Sequence, residues 1–272
     1  MVEVEWQRMK AQDLRRLAGE NAVAILPVAS IEQHGPHLPT MTDTRLGHEV
    51  AIRAARKASA KRPVVVTPVV WSGLSEHHMA FGGTLTISPD TFRALIRDLV
   101  TALIRQGFRH ILIANSHGGN DIALQQICDE LAPRSEATLV MTTYPVEAAT
   151  EIAALLEDQG GVQHACEAET AMMMACQGDL VDDSDLAALA TSGNAAGRFL
   201  KAGRGSYRWR PFAHVTGNGV AGNPARATAQ KGERLIEVSA EALAALILDP
   251  ETWAPAQDLR GSGTGGVDFR DR

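Results

Sequence analysis

Hydrophobic positions along this chain follow two periods. Short unbroken apolar runs at 23–28, 64–70, 111–115 and 138–143 read as strands buried on both faces, because a half-exposed strand would alternate apolar with polar. Between them, 44–58, 89–107 and 120–132 carry apolar residues at the spacing of a helix face. The second of these opens with Ser88-Pro89-Asp90, where serine can cap and proline can occupy the first turn. Beyond residue 145 the pattern predicts helices at about 146–157 and 167–177. A loop rich in glycine, arginine and aromatic residues at 193–224 and a long alanine- and leucine-rich helix at 225–248 follow. Strands alternating with helices imply crossover connections, hence an α/β fold with a mainly parallel central sheet between helical layers. No internal repeat interrupts the scheme. Residues 1–272 read as one domain, with the glycine-rich 255–272 as a flexible tail.

Composition narrows the function classes. With 45% hydrophobic and 21% charged residues among 272, the chain has apolar material for a substantial core. A net charge of −6 and the lack of a dense Lys/Arg stripe argue against a nucleic-acid partner. Residues 1–10 lack the apolar core of a signal peptide, and no stretch approaches the ~20 apolar residues of a membrane span. The expectation is a cytoplasmic protein without a membrane partner. Cys128, Cys166 and Cys176 have no Cys-x-x-Cys spacing, so neither a disulfide framework nor a thiolate zinc site is indicated; Cys128 and Cys176 read as small buried hydrophobes.

The candidate chemistry gathers at strand ends. Directly after the first apolar run, the segment 31–43 holds Glu32, His34, His37 and Asp43. Glu32 and His34, two apart on an extended path, share a face, and Gly35, Pro36 and Pro39 can turn the chain so that Asp43 returns toward them. After the third run, Asn115-Ser116-His117-Gly118-Gly119-Asn120-Asp121 opens a helix. His117 would stand at a strand C-terminus beside Glu32 and His34, where open α/β sheets bind ligands. Gly118 and Gly119 allow a substrate close to the backbone, and Asn120 or Asp121 could cap the helix. A further cluster, His164-Ala165-Cys166-Glu167-Ala168-Glu169, lies at a loop-to-helix junction. The two glutamates fall on different helix sides, so at most one faces the crevice. Of the adjacent His77 and His78, an extended path would turn one toward substrate and the other to the surface; His48, His110 and His214 read as structural or surface residues. Oxygen and nitrogen donors without thiolate suit Zn, Mn or Fe(II). A carboxylate shared by two ions, for which Asp43 is the natural candidate, holds them ~3.5–4 Å apart, an arrangement that activates water.

These blocks resemble the creatininase (creatinine amidohydrolase) family. The resemblance rests on Pro27 to Pro39 with Thr42-Asp43, His77-His78 through Phe81-Gly82-Gly83-Thr84, Asn115 to Asn120, His164 with Glu169-Thr170, and Gly219 to Pro224, in family order over roughly residues 20–235. It implies a creatininase-like three-layer α/β/α protein, often a homo-hexamer, whose metal pair opens cyclic amides or removes formyl groups. By position, Glu32, Asp43 and His117 would hold one ion, and His34 and Asp43 the second. His164 resembles the histidine that handles the substrate's proton, and Glu169 matches a carboxylate that either ligates metal or orients water. His78, Gly118 and Gly119 fall at substrate-side positions.

The chain also departs from creatininase proper. Where that enzyme has a metal-binding glutamate two residues after the histidine, this sequence has Gly119, and the aromatic residues that surround creatinine are missing from these loops. The Gly-Gly form is closer to formamidopyrimidine deformylases, the peptide-trimming enzyme of mycofactocin maturation and sugar-ring hydrolases of inositol catabolism. Arg204, Arg208, Trp209 and Arg210 lie in a loop that could bind a carboxylate or phosphate of a small-molecule substrate, or serve as a solvated surface or subunit contact. The expectation is a metal-dependent amidohydrolase cleaving a cyclic amide or formamide with a metal-activated water. C–C hydrolysis of a cyclic keto-sugar and metal-dependent binding without turnover are the alternatives.

Overall fold

The computed structural model describes residues 2–191, 207–261, 263, 265 and 266. In chain order, α1 is Ala11–Gly19, β1 Val23–Val28, α2 Thr42–Ala58, β2 Val64–Val66, α3 Pro89–Arg105, β3 His110–Asn115, α4 Asp121–Leu131, β4 Thr138–Thr143, α5 Tyr144–Glu147, α6 Ala149–Ala153, α7 Glu167–Gln177 and α8 Ala229–Leu248. The strands form a parallel sheet in the order β2-β1-β3-β4. Val23 pairs with both Val64 and His110, and His110 with Thr138, so every strand begins at the same edge.

Alternate residues of each strand serve opposite layers, which is why the runs are apolar throughout. Val23, Ile25, Val64, Val66, Leu112 and Ala114 join one core with buried residues of α2, α7 and α8. Ala24, Leu26, Val28, Val65, Ile111 and Ile113 join the other, with α1, α3 and α4. The result is the expected three-layer α/β/α sandwich. Met172 and Met173 are fully buried in the first core, as filler. Among the described residues, no helix is long and apolar enough to cross a membrane.

Three element boundaries differ from expectation, each for a local reason. The run 64–70 is a strand only over Val64–Val66, because Pro68 has no N–H for the ladder; the chain rejoins the sheet at Val70, whose N–H donates to Pro27 O at 2.9 Å. The helix expected at 146–157 begins at Tyr144, with Pro145 in its first turn, and splits at Ala148, which leaves helical geometry at φ −101° and ψ 23° while packing into the core. The last helix starts at Ala229, capped by the Thr228 side chain, which accepts from Lys231 N at 3.1 Å. Ser88 caps α3 as expected, accepting from Thr91 N at 3.2 Å. Residues 193–206 of the glycine- and arginine-rich loop, Arg204 included, lie outside the described residues, as do 262, 264 and 267–272 of the expected tail.

α7 and α8 approach each other with no side chain between them at Gly232. A Cβ there would stand 1.8 Å from the Ala171 carbonyl oxygen. Intrinsic helix propensity would reward Gly232→Ala by ~1 kcal/mol, but the overlap must push the helices apart. Gly232→Ala is expected to destabilise the fold by about 1–3 kcal/mol, read as a lowered urea midpoint; a raised midpoint would mean that the close contact is not there.

Candidate metal centre

The sheet order reverses direction between β1 and β3: β1 leads outward to β2, while β3 lies on the other side of β1 and leads to β4. The loops that leave these two neighbours at their C-terminal ends therefore part and open a crevice. Gly35, at φ 66°, lets the loop after β1 double back, with His34 bridged to Leu38 and Glu32 N donating to Thr40 O at 3.1 Å. That return places Asp43 in the first turn of α2. At Gly47 a Cβ would stand 2.5 Å from Ser116 Oγ. The helix can therefore lie directly on the end of β3, where Ser116 Oγ donates to Asp43 O at 3.0 Å.

Glu32, His34, Asp43, His117 and Glu169 lie together at this crevice, all buried. Asp43 divides its carboxylate, with Oδ1 3.2 Å from His34 Nε2 and Oδ2 3.2 Å from His117 Nδ1. Glu32 Oε2 lies 3.1 Å from His117 Nδ1, and Glu169 Oε2 3.9 Å from His34 Nε2. Three donor sets result among the described residues, Glu32/Asp43/His117, His34/Asp43/Glu169 and Glu32/His34/His164, each with its ligand atoms within 4.8 Å of one another; the first two share Asp43. His164 Nδ1 is 3.5 Å from Glu32 Oε1. His78 Nε2 is 3.4 Å from the same oxygen.

Backbone carbonyls set the tautomers. Because a carbonyl only accepts, His34 Nδ1–H donates to Glu32 O at 3.1 Å, and His117 Nε2–H to Leu74 O at 3.2 Å. His164 Nε2–H donates to Gln33 O at 2.8 Å. Each ring thus turns its other nitrogen toward the carboxylates. Burial raises the Glu32 carboxyl, but His117, His78 and His164 overcome it and hold it well below the usual range. Burial likewise depresses His34, yet Asp43, Glu169 and Glu32 push it up to about 10. Burial, with Asp43, pushes Glu169 up to about 7 against the pull of His34. Burial and the neighbouring His34 and His78 hold His164 well below its ordinary value.

The donor set fits a divalent cation. Buried polar atoms are almost always hydrogen-bonded, yet His34 Nε2 and Asp43 Oδ2 have no hydrogen-bond partner, and both belong to the cluster. The donors are oxygen and nitrogen alone, the set that Zn, Mn or Fe(II) accepts.

Several residues behave differently from their sequence reading. His77 and His78 do not point apart, because they sit on a 3-10 turn, Glu76–Phe81, rather than an extended path; their ring centroids are 4.2 Å apart and both line the crevice. Asn120 does not cap α4. Its side chain ties loops together, accepting from Leu74 N at 2.9 Å and donating to Ala29 O at 3.1 Å. Gly118 and Gly119 line the cavity, and a Cβ at Gly119 would stand 2.3 Å from His117 Nε2 and 2.5 Å from Leu74 O. No side chain fits at 119 without displacing that histidine. Of the glutamate pair only Glu169 reaches the cluster; Glu167 pairs with Lys231 of α8 and accepts from Glu157 N at 3.2 Å. Cys166 is buried with its thiol pushed up to about 12, chiefly by burial. Arg208, Trp209 and Arg210 are not among the described residues that line the cavity; that segment contributes Phe212 and Val215 instead.

Ser75 and Gln33 went unnoticed in the sequence. Ser75 Oγ, fully buried, donates to Glu32 Oε2 at 2.6 Å. Gln33 Nε2 donates to His78 Nδ1 at 2.7 Å, which leaves His78 Nε2–H facing Glu32. No local pattern marks Ser75, whereas Gln33 sits inside the Glu-Gln-His block but would face away from its neighbours in an extended strand.

Comparison with known proteins bears directly on this geometry. The family model described as "Creatininase: Creatinine amidohydrolase" matches residues 7–247. The chain belongs to the creatininase family. It is 31% identical over 223 residues to the mycofactocin precursor peptide peptidase of Mycolicibacterium smegmatis, covering 81% of this chain and 82% of the relative. To the creatinine amidohydrolase of Pseudomonas putida it is 26% identical over 198 residues, covering 66% and 72%. A solved creatininase in its Mn form superposes with a TM-score of 0.71 at 22% identity, over 93% of this chain and all of the other. This family member is a hydrolase other than creatininase proper, with donor groups placed to hold metal.

Ser75 positions Glu32 rather than joining the donor set. Ser75→Ala is expected to weaken binding of Mn²⁺ alone by about 10–100-fold, measured by titration calorimetry, with a near-native thermal midpoint in the metal-free protein. Unchanged affinity would remove Ser75 from the support of the site.

Proposed function

We propose that this protein hydrolyses an amide C–N bond with a pair of divalent ions, manganese or zinc. Glu32, Asp43 and His117 hold one ion, and His34, Asp43 and Glu169 the other. One observation carries the reading: Asp43 is shared between His34 and His117, and two of the four buried side-chain atoms without a hydrogen-bond partner among the described residues, His34 Nε2 and Asp43 Oδ2, belong to these sets. Glu169 supplies the carboxylate that the sequence lacks at Gly119, from a different element and without crowding His117. An ion pair there supplies a Lewis acid that lowers the pKa of water toward ~7 and polarises a carbonyl.

The chain's own residues do the rest. With its Nε2–H held by Gln33 O, His164 presents Nδ1 to the site as a proton acceptor. It takes a proton from the attacking water at Nδ1 and returns it from the same atom to the leaving nitrogen. His78, fixed by Gln33, keeps Glu32 oriented. Phe212 lies over His78 and His164 at centroid distances of 4.4 and 4.8 Å and limits the access of bulk water. Cyclic amides and formamides remain the substrates implied by the family resemblance; the likeness to a peptidase adds peptide amides.

The test separates the metal sets before any substrate is known. Asp43→Ala is expected to abolish both metal binding, by elemental analysis, and turnover on a panel of lactams, formamides and short peptide amides. Glu169→Gln is expected to lower the stoichiometry from two ions to one. Full activity in metal-free Asp43→Ala, or tight ligand binding without turnover by the loaded wild type, would refute the proposal.

A further inference from the structure

The cavity above the metal centre holds about 580 Å³, the size range of pockets that enclose a ligand of many atoms and roomy for a lone formyl group. Its floor is the cluster of imidazoles and carboxylates. One wall is apolar: Phe212, Val215, Val162, Pro145, Val146 and Ala221 all line it. This wall abuts the reacting groups, since the Phe212 ring stands 4.8 Å from that of His164, edge-on at 73°.

Phe212 is held in place. It opens a 3-10 turn, Phe212–His214, in which its carbonyl accepts from Val215 N at 2.8 Å and Thr216 N at 3.1 Å. The chain then runs to Gly219, whose carbonyl accepts from Gln33 Nε2 at 3.3 Å, and Gln33 is the residue that carries His164 on its own carbonyl. The ring is only half-buried, so part of it remains open to a ligand. An aromatic face fixed against the proton carrier provides a preformed contact for the substrate group beside the scissile bond. Asp121, anchored through Oδ1 by Asn115 at 2.7 Å and by Thr143, lines the same cavity and adds a fourth carboxylate to Glu32, Asp43 and Glu169.

Building on the amide-hydrolase reading, we infer that the substrate carries an apolar aliphatic or aromatic group next to the scissile amide, and that Phe212 is the residue that selects it. A substituent bearing carboxylate or phosphate gains nothing from this wall and meets the field of Asp121.

The experiment uses a matched series of capped dipeptides, alanine joined to glycine, valine, phenylalanine or aspartate, with the Mn²⁺-loaded protein. kcat/KM is expected to favour the valine or phenylalanine member over the aspartate member by on the order of 10–100-fold. Phe212→Ala should bring that ratio toward one, and Phe212→Leu should retain most of it. Equal rates across the series, or a preference that survives in Phe212→Ala, would overturn the assignment. If no member is hydrolysed, calorimetric affinities for the same series decide. An apolar preference removed by Phe212→Ala upholds the wall and sinks hydrolysis of peptide amides, whereas binding without preference sinks the wall itself. Mn²⁺ stoichiometry measured on each variant reports whether the metal centre is intact.

Discussion

Three carboxylates, Glu32, Asp43 and Glu169, are buried within reach of one another, and their mutual repulsion is the constraint around which the rest of the molecule is arranged. An isolated buried charge costs several kcal/mol even after relaxation, so each must be offset by something positive or by a donor. His34 and His117 provide that, each with one nitrogen spent on a carbonyl and the other turned inward. The Ser75 hydroxyl donates to Glu32, and the Ala165 N–H donates to Glu169 at 2.5 Å. Two atoms of the cluster still lack a hydrogen-bond partner, His34 Nε2 and Asp43 Oδ2, and a divalent ion would satisfy both.

The fold meets this constraint by bringing backbones unusually close. Gly47 lets α2 rest on the end of β3, Gly119 leaves room for the His117 ring, and Gly232 brings α8 against α7, the helix that carries Glu169. At Ala165 the backbone takes φ 52°, a left-handed conformation that costs a residue with a Cβ roughly 1–2 kcal/mol. That turn aims the Ala165 N–H at Glu169. Strain here coincides with the residue that joins the second donor set, a pairing common at functional sites.

Above this centre the cavity changes character from charged to apolar within one ring diameter, at Phe212. In a family whose members are named for a peptidase and a creatinine hydrolase, the floor and the wall answer different questions. On the proposed hydrolase reading, the floor sets which bond is attacked, because the metal-donor atoms and His164 meet there. The wall, on the inference drawn from Phe212, sets what surrounds that bond, through contacts made away from the reacting atoms.

Strand positions and the sheet's parallel sense were legible in the chain because they rest on local rules, apolar runs alternating with helical stretches; Glu32, His34, Asp43 and His117 could be grouped because each follows a strand end, where open sheets gather ligands, and because the blocks resemble a known family. Where a local rule was overruled, a neighbour did it, as Pro68 cut short the second strand and the 3-10 turn brought His77 and His78 to the same crevice. Spacing alone left Glu167 and Glu169 equivalent and the family resemblance pointed to Glu169, whereas the contacts of Ser75, Gln33 and Phe212 and the lack of space at Gly119 were decided by tertiary structure alone. Hydrogen bonds and close contacts between segments 42 to 131 residues apart depend on where separate elements pack, and a periodic pattern in one stretch of chain carries no information about the others.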